Sequence, residues 1–255
     1  MPARRLRTPL LPALAVLLLV LLAWPLAAGA VSCRNQDWGG NRFAVCEVDP
    51  ATEALRLFLY DPGGAPYGDF TTLEARLQSR GQRLAFAMNA GMYHEDRAPV
   101  GHYVEDGQEA MRVIPNAGPG NFGLLPNGVF CIASDRALVV ETLDYQRRRD
   151  RLGCRDVTQS GPMLVIDGEL HPRFLPDSSS RYIRNGVGTT ASGDRAVFVI
   201  SRNAVTLHDF ASFFRDALEL PQALYLDGNV SRLYAPELGR ADWGRPMGPI
   251  VAVVE

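Results

Sequence analysis

Ala223-Leu224-Tyr225-Leu226-Asp227-Gly228-Asn229-Val230-Ser231 is the stretch on which the reading of this chain turns. Pro221 precedes a four-residue apolar run, and Asp227-Gly228 closes it, so the pattern predicts a buried strand that opens into a loop. Within five residues that loop carries a carboxylate, a flexible glycine, an amide and a hydroxyl. Mixed α/β proteins place ligands where strands end in loops of this kind. Taken alone, Asp227-Gly228 is equally an ordinary turn.

Three other stretches repeat the form, an apolar run followed by small and then polar residues. They are Asn89-Ala90-Gly91-Met92-Tyr93-His94-Glu95-Asp96, then Gln159-Ser160-Gly161-Pro162, then Arg181-Tyr182-Ile183-Arg184-Asn185-Gly186-Val187-Gly188. Glycines there let backbone N–H groups approach an anion or hydroxyl closely. Each loop singly fits a structural role. Four together in one chain point to a shared pocket.

Around these loops the chain reads as strand-rich. Arg42 to Val48 and Leu55 to Tyr60 alternate and suggest a strand pair joined through Asp49-Pro50. Leu84 to Met88 is a buried strand leading to Asn89. Val100 to Val104 and Ala110 to Ile114 suggest a hairpin across Glu105 to Gln108. Gly123 to Leu125 and Gly128 to Ala133 flank a Pro-Asn-Gly turn. Further strands are expected at Val157 to Ser160, Met163 to Ile166, Val187 to Thr190, Ala196 to Ser201 and Ile250 to Val254. Only two helices stand out: Leu73 to Arg80, capped by Thr71 or Thr72, and Leu207 to Leu220, capped by Asp209. The expected fold is therefore mixed α/β of the α+β kind, a single strand-rich domain whose site is built from loops at strand ends.

Residues 1–30 read as a signal peptide. Arg4, Arg5 and Arg7 precede the apolar stretch Leu10 to Trp24, and Ala28-Gly29-Ala30 fits a cleavage site. Interrupted by Pro12 and ended by Pro25, the apolar stretch is short for a membrane span. Roughly 225 residues remain, enough for one large domain, residues 31–255. The expected location is periplasmic or secreted, with lipid attachment at Cys33 as a variant. Four cysteines in an exported chain suggest two disulfides. Of the three pairings, Cys33–Cys46 with Cys131–Cys154 is preferred because each closes a local loop. A net charge of −2, with no basic cluster beyond Arg147-Arg148-Arg149-Arg151, argues against a nucleic-acid partner. That run reads as a solvated helix or loop face.

Familiar catalytic motifs are missing. Gln159-Ser160-Gly161 is no nucleophile elbow, and there is no His-Glu-x-x-His, EF-hand, Walker or dinucleotide motif. The histidines His94, His102, His171 and His208 are scattered. A carboxylate, amides and arginine remain, a set suited to sugars and phosphates.

In this order, Asn89-Ala90-Gly91-Met92-Tyr93, Ser160-Gly161-Pro162, Arg184-Asn185-Gly186-Val187-Gly188 and Leu226-Asp227-Gly228-Asn229-Val230-Ser231 resemble the phosphodiester glycosidase domain family, that of the uncovering enzyme N-acetylglucosamine-1-phosphodiester α-N-acetylglucosaminidase. The family's loops look like Asn-Gly-Gly-Phe-Phe, Ser-Gly-Pro, Arg-Thr-Ala-Ile-Gly and Leu-Asp-Gly-Gly-Gly-Ser. The resemblance spans about Phe43 to Glu255 and looks like the shorter bacterial exported branch. It departs at Ala90, at Asn185, and at Asn229-Val230, which stand for Gly, Thr and Gly-Gly.

The resemblance implies hydrolysis of a sugar-1-phosphodiester on a small molecule or glycan, to free sugar and phosphomonoester. On that basis Asp227 is the expected catalytic carboxylate, Arg184 the phosphate clamp, and Asn89 and Asn229 orient hydroxyls or water. Glu95 is a candidate second carboxylate, and His94 a candidate acid. Gly91, Tyr93, Ser160, Gly161, Asn185, Gly188, Gly228, Asn229 and Ser231 complete the expected binding set. No cofactor is required. A metal-assisted phosphodiesterase with Ca²⁺ or Mg²⁺ at Asp227 and Asn229 is one alternative; a non-catalytic carbohydrate-binding or envelope scaffold protein is another.

Overall fold

The strands alternate between two cores, and that alternation sets the architecture. In Asn41–Val48, Ala196–Ser201 and Gln222–Asp227, the residues Phe43, Val45, Val197, Val199, Ala223 and Tyr225 enter one cluster. Their neighbours Ala44, Cys46, Phe198, Ile200, Leu224 and Leu226 enter another. Successive side chains on a strand point to opposite faces, so a sheet with this pattern is buried on both.

The computed structural model describes Met1 and residues 31–255. The signal-peptide expectation for residues 1–30 lies outside the described residues. Three antiparallel sheets make up the domain. The largest runs in the order Ser32–Trp38, Asn41–Val48, Ala196–Ser201, Asn185–Thr189, Gln222–Asp227, Met163–Ile166, Glu169–Leu170. A second runs Arg240–Ala241, Leu233–Ala235, Leu84–Asn89, Ile250–Val254, Ala54–Phe58. The third runs Gln108–Met111, Tyr103–Glu105, Asp156–Ser160, Gly128–Ile132, Ala137–Glu141.

All three sheets contribute to one shared core, in which Phe86, Met88, Tyr103, Phe130, Phe198, Leu224 and Val251 meet. Each sheet's other face is covered by one helix. Leu207–Ser212, continued by a π turn over Phe213–Ala217, packs Phe210, Phe213 and Phe214 on the large sheet. Phe70–Gln78 brings Phe70, Leu73 and Leu77 to the second sheet, and Thr142–Leu152 brings Tyr145 and Leu152 to the third. Three helices thus suffice among the described residues, as expected of a strand-rich fold.

Several local expectations are corrected. Asn41–Val48 and Ala54–Phe58 are both strands but do not pair. The first joins Ser32–Trp38 and Ala196–Ser201, the second Ile250–Val254. Gly123 to Leu125 is not a strand. Asp69, not Thr71 or Thr72, caps the first helix, its carboxylate accepting from Thr72 N at 2.7 Å. Thr206 caps Leu207–Ser212, and Asp209 completes a reciprocal capping box from the third helical position. The α-helix ends at Ser212, because the wider π turn brings both Phe213 and Phe214 into the core.

The disulfides are Cys33–Cys46 and Cys131–Cys154, the preferred pairing. With its sulfur bonded to Cys46, Cys33 offers no thiol for a lipid, which corrects that variant. Among the described residues no helix is long and apolar enough to cross a membrane.

Candidate functional site

The strand Gln222–Asp227 delivers Asp227 to the edge of a cavity of about 980 Å³. Asp227, Gly228 and Asn229 line it together with Tyr93, His94 and Glu95. These six expected residues are brought together. Asp227 is 7% exposed, and its Oδ1 accepts hydrogen bonds from Gly228 N at 2.5 Å and Asn229 N at 2.8 Å. Its Oδ2 has no such partner among the described residues and is free for a ligand or water. Burial raises the carboxyl pKa above its ordinary value, against the backbone N–H groups of Asn229, Gly228 and Val230 that lower it.

A second group of expected residues sits behind the wall rather than on it. Asn89 and Asn185 are fully buried and face each other. Asn89 Nδ2 donates to Asn185 Oδ1 at 3.2 Å, and Asn185 Nδ2 donates to Asn89 O at 3.0 Å and Oδ1 at 3.1 Å. Asn185 Oδ1 also accepts from Asp227 N at 3.1 Å, and Asn89 Oδ1 from Arg232 N at 2.9 Å. This amide pair bolts the second sheet to the large one directly beneath the catalytic candidate. Ser160 Oγ donates to Leu226 O at 2.9 Å, and Ser231 Oγ to Asp227 O at 3.1 Å, so both brace the same strand end.

The glycines Gly91, Gly161 and Gly188 are packing positions away from the cavity wall. A Cβ on Gly188 would meet Leu220 and Phe214 at 2.8 Å, and one on Gly161 would meet Asn127 at 2.7 Å. Gly91, at φ +124°, brings its backbone against Thr158, whose Oγ1 donates to Ala90 O at 2.5 Å.

Arg184 needs the largest revision. It is 1% exposed and does not line the cavity. Its Nε donates to Val205 O at 2.9 Å, Nη2 to Ser180 O at 3.0 Å, and Nη1 to the Tyr225 hydroxyl at 3.1 Å. A guanidinium so engaged is no free clamp; it positions a phenol. Tyr225 does reach the cavity, and burial pushes its pKa up to about 12 despite the neighbouring Arg184 charge. The phenol therefore stays protonated, and the guanidinium bonded to its oxygen strengthens it as a donor.

Tyr225, Asn121, Tyr182, Arg97 and Arg245 also line the cavity and were missed as site residues. Tyr225 had a legible signal. It lies two residues before Asp227 on one strand, and side chains at i and i+2 share a face. Arg97 lies one residue past the quoted first loop. Arg245 and Asn121 arrive on loops whose convergence no local pattern encodes.

His102 does not converge with His94. It is buried in the third sheet, with Nδ1 2.7 Å from Met111 O and Nε2 3.0 Å from the Tyr145 hydroxyl. Among the described residues no group of three His, Cys, Asp or Glu side chains is placed to hold a metal. A Ca²⁺ or Mg²⁺ ion at Asp227 would have to rely on amide and backbone oxygens, so no chemical step is assigned to one.

A buried carboxylate and a phenol thus share one cavity on a fold of three antiparallel sheets. Comparison places it more closely. The phosphodiester glycosidase family matches residues 82–253, and the chain belongs to that family. The uncharacterized protein YigE of Escherichia coli strain K12 is 37% identical over 198 residues, covering 78% of this chain and 76% of its own. Among solved structures, the catalytic domain of zebrafish N-acetylglucosamine-1-phosphodiester α-N-acetylglucosaminidase, auto-inhibited by its pro-peptide, matches with a TM-score of 0.61 at 15% identity. That match covers 88% of this chain and 81% of the other. A putative exported protein from Burkholderia pseudomallei matches with a TM-score of 0.55 at 13% identity, over 84% of this chain and 74% of its own.

Proposed function

We propose that this protein is a periplasmic or secreted hydrolase that cleaves a sugar-1-phosphodiester, releasing free sugar and a phosphomonoester. The observation that carries the proposal is Asp227: a buried carboxylate with one oxygen pinned by two backbone N–H groups and the other free toward the cavity. Family membership supplies the reaction class.

The chemistry follows from the leaving group. A phosphomonoester departs from an anomeric carbon with its charge already delocalised, so protonating it is less critical than in an ordinary glycoside. The site chiefly needs a base for water and stabilisation of the oxocarbenium-like carbon. Asp227 Oδ2 takes the proton of an attacking water. The water oxygen bonds to the anomeric carbon, and the bond from that carbon to the phosphate oxygen breaks, its electron pair leaving with the phosphate. Tyr225, held by Arg184, donates to an oxygen of the sugar or phosphate. Asn229 orients a hydroxyl or water, while His94 and Glu95 stand at the exposed rim. Asn89 and Asn185 act indirectly, by holding the backbone of Asp227 in place.

The experiment is hydrolysis of a panel of sugar-1-phosphodiesters by residues 31–255, beside Asp227→Asn. Free sugar and phosphomonoester from the parent alone support the proposal. Equal turnover by Asp227→Asn would remove Asp227 from the mechanism. Saturable sugar binding with no product from any member would instead favour the carbohydrate-binding reading, for which the substituted Asn229-Val230 loop is the specific observation.

A further inference from the structure

With Arg184 engaged elsewhere, a phosphate group in this cavity needs another partner, and the lining around Tyr93 supplies one. Tyr93 lines the cavity beside the loop that carries Arg97. Its hydroxyl donates to Pro246 O at 3.1 Å, tying the first loop to the loop that carries Arg245. The Arg97 guanidinium sits 5.4 Å from the centre of the Tyr93 ring, and Arg97 and Arg245 both line the cavity.

The position of Arg97 is enforced. It adopts φ +74°, a left-handed conformation uncommon for a side-chain-bearing residue. Two bonds close the turn, His94 N to Ala98 O at 2.8 Å and Arg97 N to His94 O at 2.9 Å. The turn folds the Arg97 side chain back over Tyr93. Strain of this kind persists where the surroundings over-determine it, and it concentrates at ligand sites.

A third guanidinium, that of Arg232, acts on Tyr93 but lines a separate recess with Ser231, Asp242 and Trp243. Arg232 is 8% exposed, and its Nη1 is buried with no hydrogen-bond partner among the described residues. Gly244, at φ +139°, lets the chain pass over it, because a Cβ there would come 2.5 Å from Arg232 Nη2. Arg97, Arg232 and Arg245 all act on the Tyr93 phenol. Burial raises the pKa of that phenol and so does Asp227, while the three arginines lower it.

The nearby carboxylates have other hydrogen-bond partners, although Asp242 and Asp69 still act on Arg232 through their charge. Asp69 caps a helix through Thr72, Asp242 pairs with Arg240 and accepts from Leu233 N, and Asp96 accepts from Ala98 N. No ion pair among the described residues involves Arg97, Arg232 or Arg245. Arg97 and Arg245 line the same cavity as Asp227 and Glu95 but form no ion pair with either, so both guanidinium groups are available to a bound anion.

We propose that Arg97 and Arg245 bind the phosphate of the substrate, with the sugar lying toward Asp227, Tyr225 and Asn121. This rests on the glycosidase reading for the word substrate; the anion site itself does not. Arg184 then serves as a positioning residue for Tyr225.

The test is binding of inorganic phosphate to residues 31–255, measured by calorimetry against a chloride background, for the parent and for Arg97→Gln, Arg245→Gln and the double variant. Arg151→Gln, an exposed substitution on a distant helix, is the control. Saturable binding in the parent, weakened by ~10-fold or more in the double variant and unchanged in the control, is expected. Thermal melts establish that the variants are folded; both changed residues sit on surface loops. No phosphate binding by the parent, or binding within about twofold of the parent in the folded double variant, would overturn the proposal. The outcomes separate from those of the hydrolysis panel. Arginine-dependent phosphate binding with no sugar released would leave the anion site standing and count against the glycosidase reading.

Discussion

The buried amide pair and the cavity wall are adjacent, yet they treat their polar groups in opposite ways. Asn89 and Asn185 use both donor and acceptor capacity on each other and on the backbone of Asp227 and Arg232. The wall leaves Asp227 Oδ2 free, and Arg97 and Arg245 without acidic partners. A closed network specifies structure, because any buried group it loses is left without water or protein to bond. An open one is available to a ligand. Two residues of a sugar-binding type can therefore sit behind a site and never touch its substrate. What separates the two roles is whether hydrogen-bonding capacity remains, not which residue types are present.

The sharpest way to break this comparison is Asp227→Asn. Losing the base should lower kcat by roughly 10²–10⁴-fold. The amide can still accept from Gly228 and Asn229, and the fold no longer holds a buried carboxylate of raised pKa. Melting temperature at neutral pH should therefore be unchanged or higher. A stability loss matching the activity loss would make Asp227 a structural residue.

Next in size is Asn185→Ala. Removing it orphans the backbone N–H of Asp227 and the Nδ2 donor of Asn89, at about 1–3 kcal/mol for each group left without a partner. Denaturant melts should show the loss directly, with substrate binding at lower temperature largely kept. A stable variant with weakened sugar binding would move Asn185 from the lattice to the site. Tyr225→Phe should act the other way, lowering kcat by about tenfold or more as one hydrogen bond to the transition state is lost, with little change in folding.

The smallest effect compares two carboxylates. Glu53 is, like Asp227, raised chiefly by burial, in its case to about 7, and its Oε1 has no partner; yet it does not line the cavity. Its folded pKa exceeds its unfolded value near 4.5, so the native state holds the proton more tightly. The associated stability is fully present below about 4.5 and is lost as pH rises through about 7. Glu53→Gln should therefore raise the melting temperature more at pH 8 than at pH 5, with turnover unaffected. For Asp227 the same sign applies to catalysis: the acid limb of kcat/KM against pH should lie above the ordinary value of an aspartate. A limb at the ordinary value would indicate a solvated carboxylate instead.

Much of this was legible in the residues. Short apolar runs located Ala196–Ser201, Ile250–Val254 and the strand that ends at Asp227, and period-two alternation located Asn41–Val48 and Ala54–Phe58. It assigned faces but not partners, which is why Asn41–Val48 and Ala54–Phe58 looked like neighbours when their ladders run to distant strands. Ser32–Trp38 escaped because an exposed edge strand need not alternate, although Gly39-Gly40 marks its hairpin. Thr142–Leu152 was legible only as a charged face; its Glu141 cap and Gly153 stop are signals that bound a helix. At the site, Asp227 and the loop around Tyr93 stood out because carboxylate, amide and glycine cluster in sequence. Arg184 stood out equally and misled, since its burial behind Tyr225 is a tertiary fact. Arg97 and Arg245 gain meaning only when two loops distant in sequence meet at Tyr93.

The central claim is that water attacks the anomeric carbon beside Asp227, not phosphorus. Hydrolysis of a sugar-1-phosphodiester in ¹⁸O-labelled water tests it most directly, read by mass spectrometry of the phosphomonoester, whose oxygens do not exchange with solvent on the time of the assay. The account predicts phosphate without label, the ¹⁸O having entered the sugar. Label in the phosphate would contradict it and make the enzyme a phosphodiesterase acting at phosphorus.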